Sequence, residues 1–146
     1  MKEIIIASGN KGKIRETQEI LNEYKVISMN ELGIDIDVEE DQNTFEGNAI
    51  KKAETIAKKI GGKMCIADDS GIEIEFLDGF PGVLTKRWHG GTDRERNLAI
   101  IEKLKGVPKE KRKITFTTVI ALSNGETTIC EIGTIDGVVA ENLTRR

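Results

Sequence analysis

The feature that most constrains the fold is the order of the hydrophobic patterns at the start of the chain. A short run rich in isoleucine, Glu3–Ser8, is typical of a buried β-strand. From Lys11 the apolar residues recur with a helical period, which predicts a helix to about Glu23. The stretch KVIS that follows, residues 25–28, is a candidate second strand. A strand, a helix and a further strand in this order indicate the α/β class.

A second helix is indicated by its capping residues. Asn43 and Glu46 have the spacing of a capping box, and Thr44 is a competing N-cap. Two glycines beginning at Gly61 end the apolar stripe of this helix. The run KMCIA then predicts a buried strand that leads directly into a pair of aspartates, and GIEIEF, residues 71–76, alternates like a separate half-buried strand.

The last part of the chain predicts a helix followed by a hairpin. The helix begins at Thr92, with Glu95 in capping position, and ends before Gly106. The runs ITFTTVIAL and TTICEIGTI flank Asn124 and Gly125, and Asn-Gly between such runs is a strong hairpin signal. The sequence therefore predicts an α/β fold with a mixed β-sheet, part of it antiparallel.

Composition narrows the class of protein. The chain of 146 residues favours a single domain, and a net charge of −3 without a basic stripe argues against nucleic-acid binding. No apolar run is long enough for a membrane span, and the N-terminus turns polar too early for a signal peptide. Cys65 and Cys130 suggest a reduced, cytoplasmic setting rather than a disulfide framework. His89, the single histidine, is expected in a surface loop, since no nucleophilic triad or zinc cluster can be assembled around it.

The first strand-to-helix turn has the properties of an anion-binding loop. Its glycines allow close backbone approach, the helix start presents free N–H groups, and Lys13 adds a full positive charge. It is not a Walker A loop, because Ile14 stands where a Ser or Thr is required. A tight turn with an exposed lysine is an equally good interpretation of the spacing alone. The candidate phosphate-binding residues are Ser8, Gly9, Asn10, Lys11, Gly12 and Lys13.

Two adjacent aspartates end the apolar run of the third predicted strand. Asp68 and Asp69 follow IA and precede Ser70 and Gly71, a combination that also fits a solvated turn. Neighbouring side chains on a strand point to opposite faces, so only one of the two acids can face a cleft. That acid is a candidate metal ligand or general base.

A second group of acids precedes the second helix. Glu39, Glu40 and Asp41 fit an acidic loop at a helix N-terminus, which is the simpler interpretation. The functional interpretation is a carboxylate that joins Asp69 on a divalent ion, and Mg²⁺ suits one or two carboxylates combined with substrate phosphates. A phosphate loop and separated carboxylates together indicate Mg²⁺-assisted attack of water on a phosphate ester or anhydride.

Five ordered motifs resemble the inosine triphosphate pyrophosphatase family across nearly the whole chain. They are ASGNKGKIRE, EEDQNTFEGNAIKKA, IADDSGIEI, GFPGVLTKRW and NLAIIEKLKGVP. The resemblance implies an elongated mixed sheet in a two-lobed fold and usually a homodimer. It also implies Mg²⁺-dependent hydrolysis of ITP, dITP and XTP to the monophosphate and pyrophosphate. A related septum-inhibitor-like selectivity fits the N-terminal motif less well.

The resemblance also assigns roles by position. The loop from Ser8 to Lys13 would hold the triphosphate, with Asn10 and Lys13 as the main polar contacts. Glu40 matches a metal ligand, and Asp69 matches the residue that binds the metal and acts as base for the attacking water. Asp68 would support Asp69, and Ser70 matches a substrate contact, with Gly71 letting the chain turn away.

The chain departs from the family pattern in two places. Leu84 and Thr85 stand where Tyr-Ser is usual, and the chain ends at GVVAENLTRR before the GFGYDP and S-H-R motifs that shape the purine pocket. The expectation is one ITPase-like domain over residues 1–146 that is incomplete at its C-terminus, with uncovered strand edges and a tendency to self-associate or to low stability. The alternative to an active pyrophosphatase is a catalytically impaired remnant that binds nucleotide or forms oligomers.

Overall fold

The computed structural model describes residues 2–143 and groups them into two compact units. The first unit contains the chain up to Asp69 together with Val119–Ile132. The second contains Ser70–Thr118 and the chain from Gly133 onward. The single-domain expectation for residues 1–146 stays a prediction.

Five strands form one sheet, namely β1 (Lys2–Ile6), β2 (Tyr24–Ser28), β3 (Cys65–Ile74), β4 (Lys113–Ser123) and β5 (Thr128–Val138). Their order in the sheet is β2-β1-β3-β4-β5. β1 is parallel to β2, with Ile4 opposite Val26, and also parallel to β3. β4 and β5 are neighbours joined by a connection too short for a parallel crossover, so they form the antiparallel hairpin. The predicted α/β fold with a mixed sheet is confirmed.

Two helices belong to the first unit, α1 (Lys11–Ile20) and α2 (Phe45–Lys59). Of the two candidate N-caps of α2, Thr44 is the one used, since its hydroxyl accepts a hydrogen bond from the Gly47 N–H at 2.9 Å. The apolar face of α2 is fully buried and built mainly from small residues, which let a helix lie close to its neighbours. Its residues are Ala49, Ala53, Ile56 and Ala57.

The second unit contains helix α3 (Asp93–Lys103). It begins at its predicted N-cap, because the Thr92 hydroxyl accepts a hydrogen bond from the Glu95 N–H at 3.1 Å. A cluster of four buried aliphatic side chains forms the core of this unit, and Trp88 packs against it. The four are Ile74, Ile100, Leu104 and Ile114.

One predicted boundary is wrong and bears on the site. The sequence suggested two strands separated by a turn at Asp68–Gly71, whereas β3 runs without interruption from Cys65 to Ile74. β3 lies between β1 and β4 in the sheet, and its paired residues toward β1 are Cys65 and Ile66, just before the acidic pair. Asp68 and Asp69 therefore lie within a strand rather than at its end, and Gly71 does not turn the chain.

Two smaller boundaries also differ. α1 ends at Ile20 rather than near Glu23, because the Gln18 side chain donates to the carbonyls of Leu21 and Tyr24 and accepts from Val26 N–H. These bonds turn the backbone out of the helix and into β2. The predicted strand through Phe76 stops earlier, and Phe76 lies half-exposed in a short 3₁₀ turn.

Strand β5 lies at one end of the strand order and is exposed on both faces. Four apolar side chains spaced along it are more than half exposed, and residues three apart in a strand fall on alternate faces. They are Ile129, Ile132, Ile135 and Val138. An edge strand of this kind favours pairing with another chain, and the predicted self-association stays a prediction.

Candidate active site

The loop after β1 is organised by its own side chains. Asn10 is the N-cap of α1, and its side-chain oxygen accepts a hydrogen bond from the Lys13 N–H at 3.1 Å. The Ser8 hydroxyl accepts from the Asn10 N–H, also at 3.1 Å. The side-chain oxygen of Asn10 is thus engaged in starting the helix. The N-terminus of α1, with its partial positive charge, is held at the end of β1.

The two glycines of this loop have identifiable neighbours. A Cβ at Gly9 would lie 2.7 Å from the side-chain nitrogen of Asn30, and one at Gly12 would lie 3.1 Å from the side-chain oxygen of Asn10. Sequence reasoning assigned both glycines to close approach of a ligand. The contact with Asn30 gives Gly9 a packing reason of its own, because a side chain there would displace the end of the Asn30 side chain.

Lys13 pairs with Asp68 across the first unit. Its ammonium lies 3.0 and 3.2 Å from the two carboxylate oxygens of Asp68, and both side chains are partly exposed. The pair links the first turn of α1 to strand β3. The positive charge of Lys13 is therefore held near the helix N-terminus, where an anion would also bind.

Asp69 lies on the opposite face of β3, as the alternation of strand side chains requires, and is buried. Its carboxylate accepts a hydrogen bond from the Asn48 amide at 3.1 Å, and the Glu40 carboxyl is close enough to interact with it. Burial and the neighbouring Glu40 raise the pKa of Asp69 to about 6, against the opposing effects of Asn48 and Lys52. The two predicted metal ligands, far apart in sequence, thus lie side by side.

Lys52 and Asn48 belong to the same arrangement and were not predicted. The Lys52 ammonium donates to the main-chain carbonyl of Asp68 at 3.0 Å and lies 3.9 Å from the Glu40 carboxylate. Asn48 and Lys52 are one turn apart on α2, so they share a face of the helix. Two polar residues at this spacing within an otherwise apolar stripe are the sequence signal that could have identified them.

The predicted residues fall into three groups. Glu40 and Asp69 meet, and Lys13 and Asp68 meet, all within the first unit. Ser70 belongs to the second unit, where its hydroxyl donates to Thr118 at 3.1 Å. The geometry describes where these side chains lie, and their roles toward a ligand stay predictions.

The chemistry of the donor set fits a hard divalent cation. Within residues 2–143 no cluster of three or more metal-ligating side chains occurs, so Glu40 and Asp69 form a two-carboxylate set. The Glu40 carboxylate raises the pKa of its neighbour Asp69, and a cation bound between the two would relieve the repulsion of their negative charges. A cavity of about 110 Å³ beside Glu40 and Lys52 has room for a few waters. Mg²⁺ suits such a site, because it keeps several waters and uses few protein carboxylates.

The raised pKa of Asp69 predicts a pH-dependent stability. The folded state holds this proton more tightly than the unfolded chain, so the group's stabilising contribution is full below its ordinary pKa of 3.8 and is lost as the pH rises through about 6. We expect Asp69→Asn, melted with EDTA present at pH 7.5, to be more stable than the parent by about 1–3 kcal/mol. The melting temperature should rise by roughly 2–8 °C.

The stability difference between Asp69→Asn and the parent should be smaller at pH 5, because much of the parent protein is then protonated at Asp69. Asp35→Asn, at an exposed position of the same unit, is the control and should follow the parent at both pH values. If the melting temperatures of the parent and Asp69→Asn change in parallel with pH, the assignment of a raised pKa to Asp69 is contradicted.

Within residues 2–143 no helix has the length and apolar character that crossing a membrane requires. The chain matches the Ham1 family over residues 4–145. It is 41% identical to a dITP/XTP pyrophosphatase of Clostridium perfringens, over 99% of this chain and 76% of the relative. It is 44% identical to a dITP/XTP pyrophosphatase of Bacillus subtilis, over 97% of this chain and 73% of the relative.

Solved structures agree with this match. The structure of the Staphylococcus aureus Ham1 protein superimposes with a TM-score of 0.87 at 40% identity, covering 96% of this chain and 73% of that one. A HAM1 protein from Coxiella burnetii gives a TM-score of 0.89 at 38% identity, covering 97% and 75%. With a family match over nearly its whole length and relatives at this level of identity, the chain belongs to the Ham1 family.

Proposed function

We propose that this chain is a Mg²⁺-dependent nucleoside triphosphate pyrophosphatase that hydrolyses ITP, dITP and XTP to the monophosphate and pyrophosphate. The observation that supports it most is that buried Asp69 lies next to the partly exposed Glu40 carboxylate, with the Lys52 ammonium 3.9 Å from Glu40. The named activity of the relatives from Clostridium perfringens and Bacillus subtilis supports the same reaction and substrates.

The phosphate chain would bind at the N-terminus of α1. A triphosphate carries about four negative charges near neutral pH, so binding requires positive charge close to the backbone N–H groups of the loop. Lys13 supplies it, and its pairing with Asp68 keeps the ammonium in place before a nucleotide arrives. Lys52 provides a further cation on the Glu40 side.

Asp69 is the proposed general base. A carboxylate with a pKa of about 6 is largely ionised at neutral pH, yet it accepts a proton more readily than an ordinary aspartate. In the reaction, water adds its oxygen to a phosphorus flanking the α–β bridge, Asp69 takes the water proton, and the bridging P–O bond breaks. The bridging oxygen leaves with one of the two products, so monophosphate and pyrophosphate account for all atoms.

Glu40 and Asp69 would hold the Mg²⁺ ion. When bound, Mg²⁺ neutralises phosphate charge and favours departure of the leaving group. The protein residues perform the remaining tasks, since α1 and Lys13 orient the phosphates and buried Asp69 moves the proton.

The proposal also includes a cytoplasmic homodimer. Both cysteines, buried Cys65 and partly buried Cys130, are free thiols, which suits a reducing compartment that holds nucleotides. The exposed edge strand β5 offers a surface on which two copies could pair.

Direct product analysis tests the proposal. The purified chain is incubated with dITP, ITP or XTP and Mg²⁺, and monophosphate and pyrophosphate are measured beside ATP and GTP. Equimolar monophosphate and pyrophosphate from the deaminated nucleotides support it. Nucleotide binding without turnover would instead support the impaired remnant, and equal turnover of ATP and GTP would overturn the substrate assignment.

Lys13→Ala is expected to raise KM for the nucleotide at least tenfold and to lower kcat less, because the lysine contributes mainly charge toward the bound phosphates. Steady-state kinetics at constant Mg²⁺ measures the split between kcat and KM. Lys25→Ala, which removes an exposed lysine of β2, is the charge-matched control and should leave both constants within twofold. A Lys13 variant with an unchanged KM would contradict the assignment of phosphate binding to this loop.

A further inference from the structure

Asn48 is an unusual residue for its position. It lies in the first turns of α2, beside the fully buried Ala49, and its own side chain is 1% exposed. A buried asparagine has little helix propensity and needs partners for both ends of its amide. The presence of an asparagine at this buried position therefore has to be explained by the contacts of its amide group.

Both ends of the Asn48 amide are used, and they reach different elements. The side-chain oxygen accepts a hydrogen bond from the Gln42 N–H at 2.9 Å. The side-chain nitrogen donates to the Asp69 carboxylate at 3.1 Å. One side chain thus joins strand β3 to the irregular segment that carries Glu40.

That segment, residues 39–42, is docked on α2 by further contacts. A Cβ at Gly47 would lie 2.9 Å from the Cβ of Gln42, so the absence of a side chain at Gly47 lets the segment lie against the helix. The Lys51 ammonium binds the Glu39 carbonyl and the Asp41 carboxylate, both at 2.8 Å. Among these contacts, Asn48 is the one that also holds Asp69.

We propose that Asn48 is a positioning residue that fixes Glu40 and Asp69 at the separation at which they bind a divalent cation together. The inference deepens the proposed function and rests on it. Two adjacent carboxylates repel each other, and Glu40 lies outside helix and sheet, so the pair needs an external restraint. Only a side chain with both a donor and an acceptor, as in Asn, can hold the two elements at once.

The test uses two variants, Asn48→Leu, which keeps nearly the same shape without polar atoms, and Asn48→Ala. Mn²⁺ alone is titrated in the absence of nucleotide at one pH, and free Mn²⁺ is followed by electron paramagnetic resonance. Both variants should bind Mn²⁺ about 10–100-fold more weakly than the parent, as is typical when the support of a metal ligand is removed. Their kcat should fall at least tenfold, and KM for dITP should change less than threefold.

Thr44→Ala is the matched control. It removes the N-cap of the same helix and lowers stability, yet it touches neither carboxylate. It should bind Mn²⁺ like the parent. If one Asn48 variant fails to fold, the other provides the comparison, with melting temperatures measured for all.

The outcomes separate this inference from the proposed function. Asn48 variants that bind Mn²⁺ as tightly as Thr44→Ala would overturn the inference while dITP hydrolysis by the parent still stands. A parent chain that binds no Mn²⁺ at millimolar concentration would overturn it as well. If the parent releases no pyrophosphate but the Asn48 variants bind Mn²⁺ more weakly than the parent, the proposed function is overturned. The positioning role of Asn48 is then still supported.

Discussion

Asp69→Asn is expected to lower kcat for dITP hydrolysis by roughly 10³-fold or more, since a general base alone contributes ~10²–10⁴-fold and a cation ligand is lost as well. The substitution keeps the shape of the side chain and leaves an oxygen to accept from Asn48. It removes only the negative charge and the capacity to accept a proton. Pyrophosphate release at saturating dITP and Mg²⁺ measures the effect.

The neighbouring aspartate supplies the control. Asp68→Asn changes the same functional group on the opposite face of β3, where the side chain holds Lys13 rather than Glu40. We expect a loss of about tenfold, mainly in KM, because a charge-assisted hydrogen bond of roughly 1.5–3 kcal/mol is weakened. A larger loss at Asp68 than at Asp69, or more than a tenth of the activity left in Asp69→Asn, would overturn the assignment of the base.

The two predictions on Asp69 reinforce each other. The buried carboxylate of Asp69 next to Glu40 destabilises the metal-free fold at neutral pH, and the same surroundings raise its pKa above that of an ordinary aspartate. If Asp69→Asn is both more stable than the parent and inactive, the negative charge of Asp69 serves function and lowers stability.

Local patterns were enough to predict much of this site. The period of two along a strand separates the roles of Asp68 and Asp69, and β3 shows that separation, with one side chain on Lys13 and the other on Asn48. The helix start at Thr92 was predictable, because capping involves residues only three apart, whereas the start of α2 was narrowed only to Asn43 or Thr44.

The error at the acidic pair has a tertiary cause. Asp, Ser and Gly are turn formers, so the stretch from Asp68 to Gly71 favours a turn when taken alone. In the fold, these residues belong to β3, a central strand of the sheet, and membership of a sheet overrides local preference. The number of strands that will pair with a given strand cannot be predicted from the residues of that strand alone.

Asn48 and Lys52 were missed for a related reason. Each is polar on the buried side of an amphipathic helix, and polar residues there are usually explained as the edge of the exposed face. Their partners, Asp69 and the Asp68 carbonyl, lie on a strand that follows the helix. Asn48 and Lys52 could have been linked to their partners only by predicting which face of α2 packs against Asp68 and Asp69.

Arg112 is a buried side chain that links separate segments of the second unit. It is 2% exposed, and its guanidinium donates to four main-chain carbonyls in that unit. Two of them lie just after α3, near the negative end of the helix dipole, and the Leu104 carbonyl also accepts from the Val107 N–H at 3.0 Å. The other two follow β5, and the acceptors are Leu104 (2.5 Å), Val107 (3.2 Å), Val139 (2.9 Å) and Ala140 (3.0 Å).

Arg112→Ala is expected to reduce the free energy of unfolding by about 3–5 kcal/mol, because the buried side chain and its hydrogen bonds to one buried and three partly buried carbonyls are lost at once. Arg112→Met keeps most of the apolar contact, so the loss it shares with Arg112→Ala measures the hydrogen bonds alone. Denaturant unfolding followed by the fluorescence of Trp88, the single tryptophan and a neighbour of this unit's core, provides the readout. Arg94→Ala, at an exposed position of α3, should change stability by less than about 0.5 kcal/mol. If Arg112→Met proves as stable as that control, the carbonyls around Arg112 find other donors, and the guanidinium does not hold α3 to the end of β5.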